Sequence, residues 1–321
     1  MRSGRSLIAV GIVLAGLAIG GISTAGAASS TPKLNLYFLG GFSLGHQVVT
    51  VPGRAIKIEG FERPYVPGQW VIVQAWQGGR KFHEGPLPLR PVSNATYGRF
   101  TLRITAPHAG PATIVAWHPA TSNLPYVSMR KSFDALDTNV GFGATGPAVE
   151  LIQQRLGALH LFIPQTGVYD SGTGLAIDAY HRLLGWGTYQ TLDSRTVNAL
   201  MAGQGQFHVR YPGDGKHAEG DLTNQLLALA NGGSVYWILP ISSGKPSTPT
   251  ILGRFHIYYR VPGYLPDGMY FSSFFFSGYA IHGYNPAPDY PASHGCMRLP
   301  IQDAIPVFNW LSMGDAVDTY N

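Results

Sequence analysis

Phe271-Ser272-Ser273-Phe274-Phe275-Phe276-Ser277-Gly278-Tyr279-Ala280-Ile281-His282-Gly283 is an apolar, aromatic run that ends on a histidine and a glycine. A second stretch, Ser293-His294-Gly295-Cys296-Met297-Arg298-Leu299, follows ten residues later and carries the single cysteine of the chain. One thiol cannot staple the chain to itself, and as a mere filler it would be a small buried hydrophobe. Its neighbourhood argues otherwise, because two histidines, two glycines and an arginine lie between positions 282 and 298. Polar, glycine-rich surroundings suit a reactive thiolate better than a core position. A free thiol with a pKa of about 8.5 is mostly protonated near neutrality, so it needs a base. Histidine titrates in the useful range, and both His282 and His294 qualify; spacing alone leaves the choice open. Gly295 allows the backbone amides of Gly295 and Cys296 to come close to an oxygen that gains charge. Arg298 fits either a substrate carboxylate or an internal strut. The aromatics from Tyr270 to Phe276 read as sheet core or as a wall that keeps water from the site.

Outward from these stretches, the 321 residues suggest two or three domains. Charged residues make up only 12%, while Gly 41 and Pro 24 are high, which favours turn-rich β modules. Residues 1–27 read as an export signal. Arg2 and Arg5 precede the apolar run Leu7 to Ile22, and Ala25-Gly26-Ala27 offers a cleavage site. The mature protein is therefore expected outside the cytoplasm, secreted or wall-associated, with a membrane contact only if that segment stays uncleaved. Without the two signal arginines the formal charge falls from +5 to +3, with no basic cluster, so nucleic acid is a poor partner.

Three segments differ in hydrophobic period. From 34 to 135, alternating stretches such as Ala55 to Ile58, Trp70 to Trp76, Phe100 to Ile104 and Ala112 to Trp117 are separated by Pro/Gly signals. They predict an immunoglobulin-like β-sandwich with Trp70, Trp76 and Trp117 as core anchors. Asn94-Ala95-Thr96 within it matches a glycosylation sequon. From 140 to 203 the period is helical. Val149, Ile152, Leu156 and Leu159 share one face, Ala176, Ala179, Tyr180 and Leu183 another, and Asp193, Val197 and Leu200 mark a third helix. From 207 to 321, β character returns with strand candidates at Ser234 to Ile241 and Gly253 to Tyr259, a helix from Asp303 to Leu311, and a closing strand at Gly314 to Thr319.

Two resemblances follow from particular residues. Gly146 to Leu156, Gly167-Val168-Tyr169-Asp170, Ala176-Ile177-Asp178-Ala179-Tyr180 and Leu192-Asp193-Ser194-Arg195-Thr196 resemble the peptidoglycan-binding three-helix module. That family usually carries Phe-Gln where this chain has Tyr180-His181. The His-Gly and Ser-His-Gly-Cys-x-Arg stretches, with Ser242-Ser243-Gly244, Thr248-Pro249-Thr250, Gly253 and His217-Ala218-Glu219-Gly220-Asp221, resemble the L,D-transpeptidases of the YkuD type.

This second resemblance implies a mostly β catalytic domain over 207–321, preceded by the sandwich spacer and the helical bundle. It implies Cys296 as nucleophile and His282 as base. The Gly283 carbonyl would orient the imidazole, with His294 supporting the pocket, Ser293 as a hydrogen-bonding residue behind it, and Arg298 toward substrate. The implied reaction joins peptidoglycan stem peptides, donor and acceptor, through a 3→3 link, with no cofactor. A carboxypeptidase would use the same residues on water. A wall-binding protein without turnover is a third reading. Zinc on His282, His294 and Cys296 lacks the paired-ligand spacing that metal sites show.

Overall fold

The computed structural model describes residues 31–92 and 96–321. The expected export segment 1–27 and most of the sequon lie outside those residues.

Among the described residues the N-terminal region contains β1 (Lys33–Leu39), β2 (Phe42–Leu44), β3 (Gln47–Thr50), β4 (Ala55–Arg63), β5 (Trp70–Gln77), β6 (Arg80–Pro88), β7 (Arg90–Pro91), β8 (Gly98–Thr105), β9 (Gly110–His118) and β10 (Val127–Ala135). One sheet has the order β1-β4-β8-β7 and the other β2-β3-β10-β9-β5-β6. Pairing is antiparallel except between β3 and β10. Alternate residues, among them Ile56, Ile58, Val71, Val73, Ala75, Ile114 and Ala116, are buried and make one continuous core.

That alternation corrects the reading of the tryptophans. Val71, Val73 and Ala75 take the inward positions of β5, and Ala116 does so on β9, so the residues one step away point outward. Trp70 is 42% exposed, Trp76 and Trp117 are half-buried, and Trp76 Nε1 donates to Gln74 Oε1 at 3.1 Å on the outer face. Strand parity, set by the small and β-branched residues, outweighs side-chain size. Trp70→Ala should therefore cost less than about 1 kcal/mol, whereas Ile58→Ala should cost about 2–5 kcal/mol. Urea unfolding of the two variants checks this; a large loss at Trp70 would restore it to the core.

Three helices follow: α1 (Pro147–Ala158), α2 (Ser171–Leu183) and α3 (Ser194–Ala202). Asp170 caps α2 and Asp193 caps α3, each accepting the backbone N–H three residues on. Val149, Ile152, Leu156, Ala176, Ala179, Tyr180, Val197 and Leu200 are buried, as the helical period requires. His181 is buried with both ring nitrogens engaged, by Tyr189 O and Thr196 Oγ1, each at 2.8 Å, and so ties α2 to the start of α3. The helical core is continuous with Val49 and Val51 on one side and with Leu226 and Ile238 on the other.

The C-terminal region contains β11 (Lys216–Asp221), β12 (Leu226–Asn231), β13 (Ser234–Pro240), β14 (Gly253–His256), β15 (Tyr259–Tyr264), β16 (Tyr270–Phe276), β17 (Tyr279–Gly283), β18 (Met297–Leu299), α4 (Ile301–Trp310) and β19 (Ala316–Tyr320). Its sheets run β13-β12-β11-β19-β14 and β15-β16-β17-β18. Between them pack Leu227, Leu229, Leu239, Phe275, Ile281, Met297, Leu299 and Val317. The expected strand from Gly253 to Tyr259 is divided between β14 and β15. The aromatic run folds back on itself as the hairpin of β16 and β17, turning at Ser277, whose φ is +46°. Residues 160–162 join the outer edge of β13, with Phe162 N donating to Ile238 O at 2.9 Å and Ile238 N to His160 O at 2.8 Å.

Candidate active site

β17 and β18 pair in parallel, with Ile281 opposite Met297 and His282 opposite Arg298. Ile281 and Met297 are buried in the core. The alternate residues therefore share the other face: His282 from β17, Arg298 from β18 and Cys296 immediately before it. The two stretches that stand apart in sequence meet along this one ladder.

Each position is fixed from behind. Nδ1 of His282 lies 2.9 Å from the Gly283 carbonyl oxygen. A carbonyl only accepts, so Nδ1 carries the proton and Nε2 keeps its lone pair. Gly283 has no room for a side chain, because a Cβ there would sit 2.6 Å from Ala304 Cβ on α4. Ser293 is buried; its Oγ donates to Cys296 O at 2.6 Å and accepts from Gly295 N at 2.9 Å, closing the loop before the thiol. Gly295 has φ +121°, and a Cβ there would come within 2.3 Å of the Tyr279 ring, so only glycine fits. The motif segment 242–250 braces the same loop. Ser242 N donates to Arg298 O and Arg298 N to Ser242 O, both at 2.9 Å, while Thr248 Oγ1 donates to Ser293 O at 3.1 Å.

The thiol of Cys296 donates to Gly278 O at 3.5 Å. Among the described residues it makes no hydrogen bond to either imidazole. His294 is exposed, with Nε2 3.2 Å from Lys245 Nζ, and does not join His282. Arg298 lies over the Tyr284 ring at 4.0 Å, and Tyr284 meets His282 edge-on at 5.8 Å. The Gly295 amide is already engaged by Ser293 Oγ, a difference from the expected pair of free amides.

A profile of the L,D-transpeptidase catalytic domain, YkuD, matches residues 215–318. Among solved structures the chain is similar to an L,D-transpeptidase from Xylanimonas cellulosilytica, at 31% identity over 57% of this chain and 97% of that one, with a TM-score of 0.51. The chain belongs to the L,D-transpeptidase family. The catalytic domain of the E. faecium L,D-transpeptidase is 25% identical over 33% of this chain and 98% of that one, with a TM-score of 0.30. No curated protein matches.

Within this L,D-transpeptidase domain, burial governs the two titrating groups. It pushes the Cys296 thiol up, opposed by a hydrogen bond from the Ala280 amide and by the Arg298 charge, while Asp267 adds to the rise. It holds His282 down at about 4, with the Gly283 carbonyl opposing and Arg298 reinforcing the drop. Near neutrality the same strand face thus carries a thiol and a neutral imidazole. Several residues of the transpeptidase site carried no spacing signal: Gly278 as the thiol's acceptor, Tyr279 beneath Gly295, Tyr284 between Arg298 and His282, Lys245 beside His294, and Asp267 on the loop before β16. Their roles arise from strand pairing across gaps in sequence. The expected His217 to Asp221 motif is structural in placement, since Glu219 accepts from Arg210 N, Tyr211 N and Tyr320 Oη.

Proposed function

We propose that this protein is a cysteine-dependent L,D-transpeptidase that forms 3→3 cross-links between peptidoglycan stem peptides. The observation that carries the reading is the unprotonated Nε2 of His282 on the strand face that also presents Cys296. Cys296 Sγ attacks the carbonyl that joins the third stem residue, a diamino acid, to the terminal D-Ala. Its proton passes to His282 Nε2 as the S–C bond forms. The C–N bond then breaks, His282 returns the proton to the departing amine, and D-Ala leaves a thioester behind. A side-chain amine of a second stem attacks that thioester and gives a proton to His282. The S–C bond breaks and the thiol is restored. One peptide bond replaces another, so no external energy source is needed.

The Cys296 amide faces the oxyanion, and Arg298 supplies a fixed charge for a substrate carboxylate. In this reading residues 1–27 direct export, so the reaction runs outside the cytoplasm, and the helical region, by its resemblance, adds a contact to the wall polymer. Incubating the full chain with a tetrapeptide stem and an amine acceptor tests the reading. Dimeric product with release of D-Ala is the expected result. Tripeptide alone would make the protein a hydrolase with the same acyl-enzyme.

A further inference from the structure

We infer that Arg182, on α2 and outside the catalytic domain, is a positioning residue for the loop that carries Cys296. Its side chain is only 4% exposed, and a buried guanidinium is costly unless its donors are met; its two terminal nitrogens are bonded, whereas the buried Nε has no partner among the described residues. Nη2 lies 2.6 Å from Asp178 Oδ2, one turn earlier on α2. Nη1 donates outside the helix, to Gln225 O at 2.9 Å and Ile241 O at 3.0 Å. Both carbonyls belong to segments that hold the site.

From there the contacts are continuous. Gln225 clasps Ser243 with its side-chain amide, Nε2 to Ser243 Oγ at 2.7 Å and Ser243 N to Oε1 at 2.8 Å. Ser243 O accepts the N–H groups of Ala292 and Ser293, each at 2.9 Å. Ile241 leads into Ser242, which is doubly bonded to Arg298. Ser293 then fixes Gly295 and Cys296. The loop 292–298 is thereby held at both ends by segments that Arg182 grips. A spacer needs only apolar contact with its neighbour; a buried guanidinium on these two carbonyls adds a grip from α2 to segments that the β12–β13 ladder already joins, where Ile241 N donates to Gln225 O at 2.9 Å. Displacement of a reacting group by about 1 Å can cost 10²-fold in rate.

The inference rests on Cys296 as the acylated nucleophile. Its test compares full-length wild type, Arg182→Lys and the paired variant Arg182→Met/Asp178→Asn, which removes both buried charges together. Acylation by a carbapenem, followed by intact mass, is resolved into a binding constant and a first-order acylation constant. The expected result is an acylation constant lowered about 10–100-fold in the paired variant and less in Arg182→Lys, with the binding constant within about twofold. Circular dichroism and thermal unfolding establish that each variant is folded. Should the paired variant not fold, Arg182→Lys alone decides. A folded variant that acylates at the wild-type rate overturns the inference and leaves the nucleophile standing. Failure of wild type to acylate overturns the nucleophile, and this inference with it.

Discussion

Cys296→Ala is expected to reduce acyl transfer by about 10⁴-fold or more, to background, while leaving the fold intact. The sulfur is the one atom of the site from which the proposed thioester forms, and no second cysteine exists to replace it. Its structural share is small. The side chain is half-buried, and its hydrogen bonds, to Gly278 O at 3.5 Å and from the Ala280 amide, are those of a weak sulfur donor and acceptor. Thermal unfolding should therefore differ from wild type by no more than about 1 kcal/mol. Measured release of D-Ala from a tetrapeptide stem gives the answer. Activity retained by a folded Cys296→Ala protein would remove the nucleophile assignment altogether.

His282→Ala should lower the acylation rate by about 10²–10⁴-fold, the range for loss of a positioned general base. His294→Ala should cost less than about tenfold, since that ring is exposed beside Lys245. The pH dependence follows from burial. With His282 held down at about 4, its neutral form is available throughout the neutral range, so wild-type acylation should fall only as pH drops through about 4. The Cys296 thiol, pushed up, leaves no early thiolate step on the alkaline side. A limb near the ordinary imidazole value would contradict a buried base. Stability has the same sign. A histidine depressed in the folded state favours folding fully above its unfolded value of about 6.5, and that contribution is lost as pH falls toward 4. The loss is about 3 kcal/mol at most, and His282→Ala should flatten it in acid urea titrations.

Much of the architecture was legible because it depends on local periodicity. Val149, Ile152 and Leu156 announced α1, Asp170 and Asp193 announced two caps, and the alternation in β5 and β9 announced a sandwich. Aromatic bulk suggests the core at Trp70, Trp76 and Trp117, but strand parity gives those inward positions to Val71, Val73 and Ala75 on β5 and to Ala116 on β9. The hairpin of β16 and β17 was hidden in one aromatic run, its turn marked only by Ser277-Gly278. In the site, Cys296, His282 and His294 stood out through residue type and spacing, and Ser293 through the family resemblance alone. Spacing left the base open between two histidines and the family resemblance pointed to His282; in the fold His282 Nδ1 lies 2.9 Å from Gly283 O, whereas His294 is exposed beside Lys245. Tyr279, Tyr284 and Arg182 were illegible for a common reason: each acts through long-range pairing that no local pattern encodes.

The most direct test is intact-mass spectrometry of the full chain after exposure to a donor stem or a carbapenem, followed by peptide mapping. The account predicts one covalent adduct, carried by the peptide that contains Cys296 and absent from Cys296→Ala. No adduct on a folded wild-type protein, or an adduct on any other residue, would contradict it.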